Sequence, residues 1–343
     1  MIDFRYHLVS IVAIFLALSV GIVLGTTLLE EPALQATEAV ADTLQKGNSE
    51  LRAELDALRK RDAGNDAFVT AHAAELAQGV LAGESVVIVE APGAAAATTE
   101  AVRQSIEQAG ATVTGQVTLT DKYADPAQSA FVDNLATGVK PADMVFPAED
   151  SPYDKAAAVL AGALVTVVPE QAGKENPSTA GILDAFQRAE LLTVAAGPGQ
   201  SGEPGRLTRA GLAVLIAPAE PYTGESAATQ AGAIVSLVLG LDEGSRGGVL
   251  AGTQSAVAVG GVVAALRESV AEEKVSSVDT ADTPAGRVVV VYALREQLSG
   301  LTGQYGTGPG AAAFEPAVPA PKDSPSPAQT ASPPAPPTAT PGG

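Results

Sequence analysis

No cysteine and no tryptophan occur among the 343 residues, and histidine and methionine appear only twice each. Without cysteine there is no disulfide framework and no thiolate metal site, so folded parts must rely on their core. Aromatic residues make up 4% of the chain, and alanine, valine and glycine carry most of its apolar content. His7 lies at the start of an apolar run and His72 on a helical stretch ahead of the first strand signal. No H-E-x-x-H occurs, and the region that reads as α/β holds no histidine for a serine–histidine triad or a zinc site. Carboxylates are plentiful, but no Asp/Glu pair stands out from solvated surface charge. The expectation is a non-enzymatic protein with no catalytic, cofactor or metal residues to name. Basic residues are scarce as well: 20 Lys and Arg against 39 Asp and Glu give a net charge of −19. Nucleic acid is excluded as a partner, because its phosphates would be repelled. The acidity fits solubility.

What the chain does have begins at once. From Leu8 to Leu29 run 22 residues with no charge and no proline. A helix of that length reaches roughly 33 Å, enough for the hydrocarbon core of a bilayer. The start carries Asp3 against Arg5, and the nearest A-x-A, Ala39-Val40-Ala41, lies well past the run. Both features favour a retained anchor over a cleaved signal. The expectation is a single-pass cell-membrane protein in contact with the lipid bilayer. Arg5 on the short side, with Lys46 the first basic residue beyond, sets residues 1–7 in the cytoplasm and the bulk outside. Ala13, Ala17, Gly21 and Gly25 recur every four residues, a small-residue face that suits close packing of two membrane helices.

Glu30, Glu31 and Pro32 read as the membrane exit and as a break before a new helix. The stalk beyond them, residues 33–79, fits a heptad. Leu34, Ala41, Asn48, Leu55 and Asp62 fall on a; Thr37, Leu44, Leu51 and Leu58 fall on d. Leucine at d with one asparagine at a is a dimeric coiled-coil pattern, and Glu54 at g faces Arg59 at the next e of a parallel partner. The alternative is a solvated helix packed on its own domain. Gly64 and Asn65 interrupt the pattern, and Asp66 to about Gln78 can resume it. Ala13, Ala17, Gly21, Gly25, Leu44, Asn48, Leu51, Leu55 and Leu58 are therefore the candidate interface of a parallel homodimer.

At Gly83 the period changes. "ESVVIVEAPG" reads as a buried strand, "TTEAVRQSIEQAG" as a helix stopped by Gly110, and "ATVTGQVTLT" as a second strand. This order implies a parallel pair with a right-handed crossover. Further strands are expected at "ALVTVVP", "LLTVAA", "GLAVLIAP" and "GGVLAG". Helices are expected around Phe131 and over residues 153–160, 180–189, 225–239 and 262–270. Thr283-Pro284 caps another helix despite the four valines behind it. One mainly parallel α/β domain over residues 83–306 results. Residues 307–343, rich in proline, alanine, serine and threonine, read as a disordered tail. Gly197 to Gly202 matches G-x-G-x-x-G but runs into a strand and not a helix, so it reads as a surface loop. "APGAAAATTE" lies where α/β folds hold ligands but lacks the glycine spacing and a lysine, and reads as a strand-to-helix turn.

Three segments, "MIDFRYHLVSIVAIFLALSVGIVLG", "LAGESVVIVEAPG" and "VSSVDTADTPAGRVVVVYALREQLSGLTGQYGTG", resemble the mycobacterial copper transport protein B (MctB) family of actinobacterial envelope proteins. The chain is also similar to the corynebacterial division factor SteB. The resemblance spans the anchor, stalk and α/β domain and not the proline-rich tail. It implies either copper efflux and homeostasis, or a division role beside a SteA-like membrane partner that restrains peptidoglycan hydrolysis. It supplies no catalytic motif, and copper enters through the resemblance alone. Copper(I) favours thiolate, thioether or imidazole ligands. Beyond the initiator this chain offers only His72 and Met144, which lie in separate regions. The physical expectation is an anchor, a spacer and a binding domain acting as a scaffold.

Overall fold

The computed structural model describes residues 4–196 and 207–317. The G-x-G-x-x-G stretch and the tail from residue 318 onward lie outside them. The chain divides into two units, residues 1–68 and 69–343.

The first unit is a helix. α1 (Phe4–Ala77) continues without interruption over 74 residues and ends inside the second unit. The expected break at Glu30-Glu31-Pro32 is absent: the backbone stays helical through all three residues, and through Gly64 and Asn65. A single proline removes one donor and a single glycine weakens one turn. Neither outweighs the helix formers around them, leucine and alanine ahead of Pro32 and alanine, leucine, glutamate and arginine behind it.

The second unit is an α/β domain. β1 (Ser85–Glu90), α2 (Ala96–Gln108) and β2 (Thr112–Leu119) form the expected parallel β-α-β unit. An excursion leads through α3 (Asp121–Ala124), α4 (Ser129–Val139), α5 (Pro152–Leu164) and α6 (Pro177–Arg188) to β3 (Leu192–Ala196). Then come β4 (Leu212–Ile216), α7 (Ala227–Glu243), β5 (Gly248–Ala251), α8 (Val262–Arg267) and β6 (Ser276–Val278). α9 (Pro284–Gln297) and β7 (Gln304–Tyr305) complete the order. The seven strands lie in the order β3-β2-β1-β4-β5-β6-β7. All neighbours are parallel except β2 and β3. The fold class read from the sequence, a mainly parallel α/β domain behind an apolar helix, therefore holds.

Strand alternation sends Val87 and Val89 into one core, beneath the layer from α3 to α8, and Val86 and Ile88 into the other, beneath α2 and α9. Both faces of the central strands are covered, which is why they read as unbroken apolar runs. The run "AGAIVSLVLGL" lies within α7, where the sequence predicts a helix over residues 225–239, and much of it is buried. Thr283 caps α9 by accepting from the backbone N–H of Gly286 at 3.0 Å, so the cap and not the valine run decides that element.

One strand expectation fails. "ALVTVVP" is not a strand: α5 extends to Leu164 because Ala157, Leu160, Ala161 and Leu164 are buried at helical spacing. What remains is one isolated bridge between Val165 and Ala210. "LLTVAA" is a strand, but it joins the sheet antiparallel at the edge. β6 and β7 had no clear sequence signal, being three and two residues long and polar at Ser276, Ser277 and Gln304. Contacts also continue past Gly306, where the sequence placed the end of the domain. Asp279 accepts from the backbone N–H groups of Thr307 and Gly308, and Ala313 bridges to Tyr305.

Candidate functional site

The apolar start of α1 comes first. Phe4–Thr26 is 23 residues and contains an 18-residue stretch with a mean hydropathy of 2.8, long and apolar enough to cross a membrane. Two of its hydroxyls return to the helix: Ser19 Oγ donates to the Phe15 carbonyl at 2.8 Å and Thr26 Oγ1 to the Val23 carbonyl at 3.2 Å. Ala13, Ala17, Gly21 and Gly25 occupy successive turns, and both glycines face open space.

The stalk portion carries the second feature. Leu44, Leu51, Leu55 and Leu58 stand 69%, 62%, 50% and 38% exposed, and Asn48 is exposed among them. The four leucines fall along one row of a helix whose side chains are exposed on nearly every face here. The charged groups beside them make shallow pairs: Arg59 with Asp56 at 3.6 Å and Arg61 with Asp62 at 3.8 Å. Exposed pairs of this kind are worth about 0–1 kcal/mol.

In the sheet domain the strand order reverses between β1 and β4, and the carboxyl edge there is where α/β folds hold ligands. That crevice is closed by backbone. The Ala219 N–H donates to the Gly93 carbonyl at 2.9 Å, and the Ala91 N–H donates to the Ile216 carbonyl at 2.9 Å. Gly93 adopts φ 79°, which lets the loop turn in over Pro218. Ser255 Oγ donates to the Ala219 carbonyl from the other side. Glu90, buried at the end of β1, accepts from Gln116 Nε2 at 2.9 Å and from Thr118 Oγ1. "APGAAAATTE" is accordingly a strand-to-helix turn packed on its neighbour.

Two clefts remain. One, of about 210 Å³, is mainly apolar and lies between Leu76, Val80, Tyr292 and Leu301, with the Tyr292 hydroxyl donating to the Leu76 carbonyl at 2.9 Å. The other, of about 520 Å³, is polar and lies at the amino ends of the strands. There Arg246 Nη1 meets Glu84 Oε2 at 2.7 Å beside Ser85, Thr112 and Thr114. Other charged groups are likewise committed internally, Lys155 to Asp133 at 2.8 Å and Arg267 to Asp279 at 2.8 Å. Burial raises the Asp242 carboxyl to about 6 although it accepts from the Gly248 N–H at 2.7 Å.

The two soft ligands stay apart in role. His72 is exposed and its Nδ1 lies 3.2 Å from Glu75 Oε2, whereas Met144 packs against the domain core near Gly162. Among the described residues no cluster of three or more His, Cys, Asp or Glu has the geometry to hold a metal ion. Sequence reasoning passed over Arg267, Asp279 and the strap they hold. The partners come from three separate segments, and no spacing rule links them.

A family model described as "Copper transport outer membrane protein, MctB" matches residues 1–316. Among curated proteins, the "Copper transporter MctB" of Mycobacterium tuberculosis strain H37Rv is 27% identical over 320 residues, covering 91% of this chain and 98% of the relative. The "Copper transporter MctB" of Mycobacterium leprae strain TN is 28% identical over 323 residues, with the same coverage of both chains.

Proposed function

The chain belongs to the MctB family, and from that premise we propose that it works as a membrane-anchored scaffold of the cell envelope and not as a single-chain pore or an enzyme. The observation that carries this reading is the division of parts. One apolar segment leads without a break into a stalk with exposed leucines, and a folded α/β domain comes after it. A pore lined by one chain needs several apolar helices or a closed barrel. The sheet here is open, ending at β3 on one side and β7 on the other.

On this reading the amino terminus is cytoplasmic and the domain extracytoplasmic, supported by Arg5 ahead of the apolar run and Lys46 far behind it. Two chains pair through the long helix as a coiled coil, and the domain binds a protein of the envelope. Copper, which names the relatives, is then handled through copper homeostasis of the envelope and not through a cation path inside one chain. The same parts would serve a division-linked regulator of peptidoglycan hydrolysis beside a SteA-like membrane protein. The anchor and stalk support that alternative equally, since both jobs need a domain tethered to the bilayer.

Reconstitution tests the scaffold reading. Full-length chain in vesicles loaded with a copper(I)-sensitive dye should admit copper(I) no faster than protein-free vesicles. Saturable, protein-dependent entry would overturn it.

A further inference from the structure

The unbroken helix changes what the two candidate contact faces can do together. With a break after the membrane segment, each face could turn toward the same partner. In α1 the backbone is helical from Gly25 through Leu44, so the two faces have a fixed angular relation. At roughly 100° per residue, the row Ala13, Ala17, Gly21 and Gly25 is centred about 160° around the helix from the row Leu44, Asn48, Leu51, Leu55 and Leu58. Underwinding to 3.5 residues per turn, as in a left-handed coil, still leaves them about 100° apart.

We propose that two copies of this chain pair in parallel through the leucine face alone, and that the small-residue face of the membrane segment stands outside their seam. The proposal rests on the dimeric anchor-and-stalk reading above and assigns the contact within it. A second copy is the occupant because the face is self-complementary in charge. Glu54 at g meets Arg59 at e of the partner helix, and Arg61 at g meets Asp66 at e, in both directions across the two-fold axis. An antiparallel pairing would instead set the e positions Arg52 and Arg59 against their own kind. A shared anchor also inserts both chains the same way round. Leu44, Leu51 and Leu58 at d and Leu55 at a supply the apolar seam, with Asn48 fixing its register. The close Asp56–Arg59 and Arg61–Asp62 contacts within one helix are exposed, so they surrender little when the arginines turn to the partner.

The absence of cysteine makes the test clean. Full-length chain carrying Leu51→Cys, Gly21→Cys or Lys60→Cys is oxidised in native membranes with dithiodipyridine. Leu51→Cys should give a disulfide-linked dimer, while Gly21→Cys and the outward Lys60→Cys should give at least roughly tenfold less. In parallel, Gly21→Ile with Gly25→Ile should leave the sedimentation of the detergent-solubilised chain dimeric, and Leu51→Asp with Leu55→Asp should make it monomeric. Efficient cross-linking through Gly21→Cys, or loss of the dimer in the glycine double variant, would overturn the seam while leaving a dimeric scaffold standing. A chain that is monomeric and uncross-linked at every position would remove the dimer reading itself.

Discussion

Arg267 Nη1 donates to Asp279 Oδ2 at 2.8 Å, and the two side chains are 3% and 0% exposed. The guanidinium also donates to the hydroxyl of Ser277 at 3.0 Å and to the carbonyls of Tyr305 and Pro309 at 2.8 Å each. Asp279 accepts in turn from the backbone N–H groups of Thr307 at 2.9 Å and Gly308 at 3.0 Å. A buried pair whose remaining donors and acceptors are met by backbone holds one geometry. Here that geometry ties the segment after β7 to the ends of α8 and β6.

Removing either partner should therefore leave an uncompensated buried charge. Arg267→Met and Asp279→Asn should each lower unfolding free energy by about 3–5 kcal/mol in denaturant titrations. Hydrogen exchange should show the amides of Thr307 and Gly308 opening before the central strands. A loss below about 1 kcal/mol, with those amides still protected, would show that the network does not hold the strap.

The α5–α7 contact gives a sharper packing test. A Cβ on Gly240 would sit 2.9 Å from Ala157 Cβ and 3.1 Å from its carbonyl carbon, whereas one on Gly232 of the same helix meets open space. Gly240→Ala should cost about 1–3 kcal/mol by overpacking, despite the better helix propensity of alanine. Gly232→Ala should gain about 0.5–1 kcal/mol. Equal effects at the two positions, read from thermal unfolding of the full chain, would mean that the helices are not in close contact.

Asp242 sets a pH dependence. Burial raises its carboxyl to about 6, helped by Glu243 and opposed by the Gly248 N–H and by Lys274. The unfolded value lies near 4. Between about 4 and 6 the folded chain thus holds a proton that the unfolded chain has released, and this group's contribution to stability falls as pH rises through that window. With screening at the partly exposed site, the change is on the order of 1–2 kcal/mol. Asp242→Asn, which keeps an oxygen to accept from Gly248, should flatten that slope and raise stability at pH 7. An unchanged profile would place the titration elsewhere.

Much of the architecture was legible in the chain because its causes are local. An uncharged run long enough for a bilayer, the Thr283 cap with Pro284 behind it, and the strand–helix–strand period from Ser85 to Leu119 each act within a few turns of backbone. So does the leucine spacing of the stalk, which fixes a face before any partner is present. The closed switch point between Gly93 and Ala219, the short strands β6 and β7, and the turning of "ALVTVVP" from strand into the end of α5 were decided by tertiary structure. Each depends on groups that meet only across space. β7 is two residues long and persists because β6 pairs with it and the Arg267–Asp279 pair clamps the residues from Thr307 to Pro309. The angular relation of the small-residue and leucine faces belongs to both levels. The sequence placed every residue of both rows, and only continuity of the helix through Pro32 decided that the rows look in different directions, because hydrogen bonding carried past one missing donor keeps the helical phase.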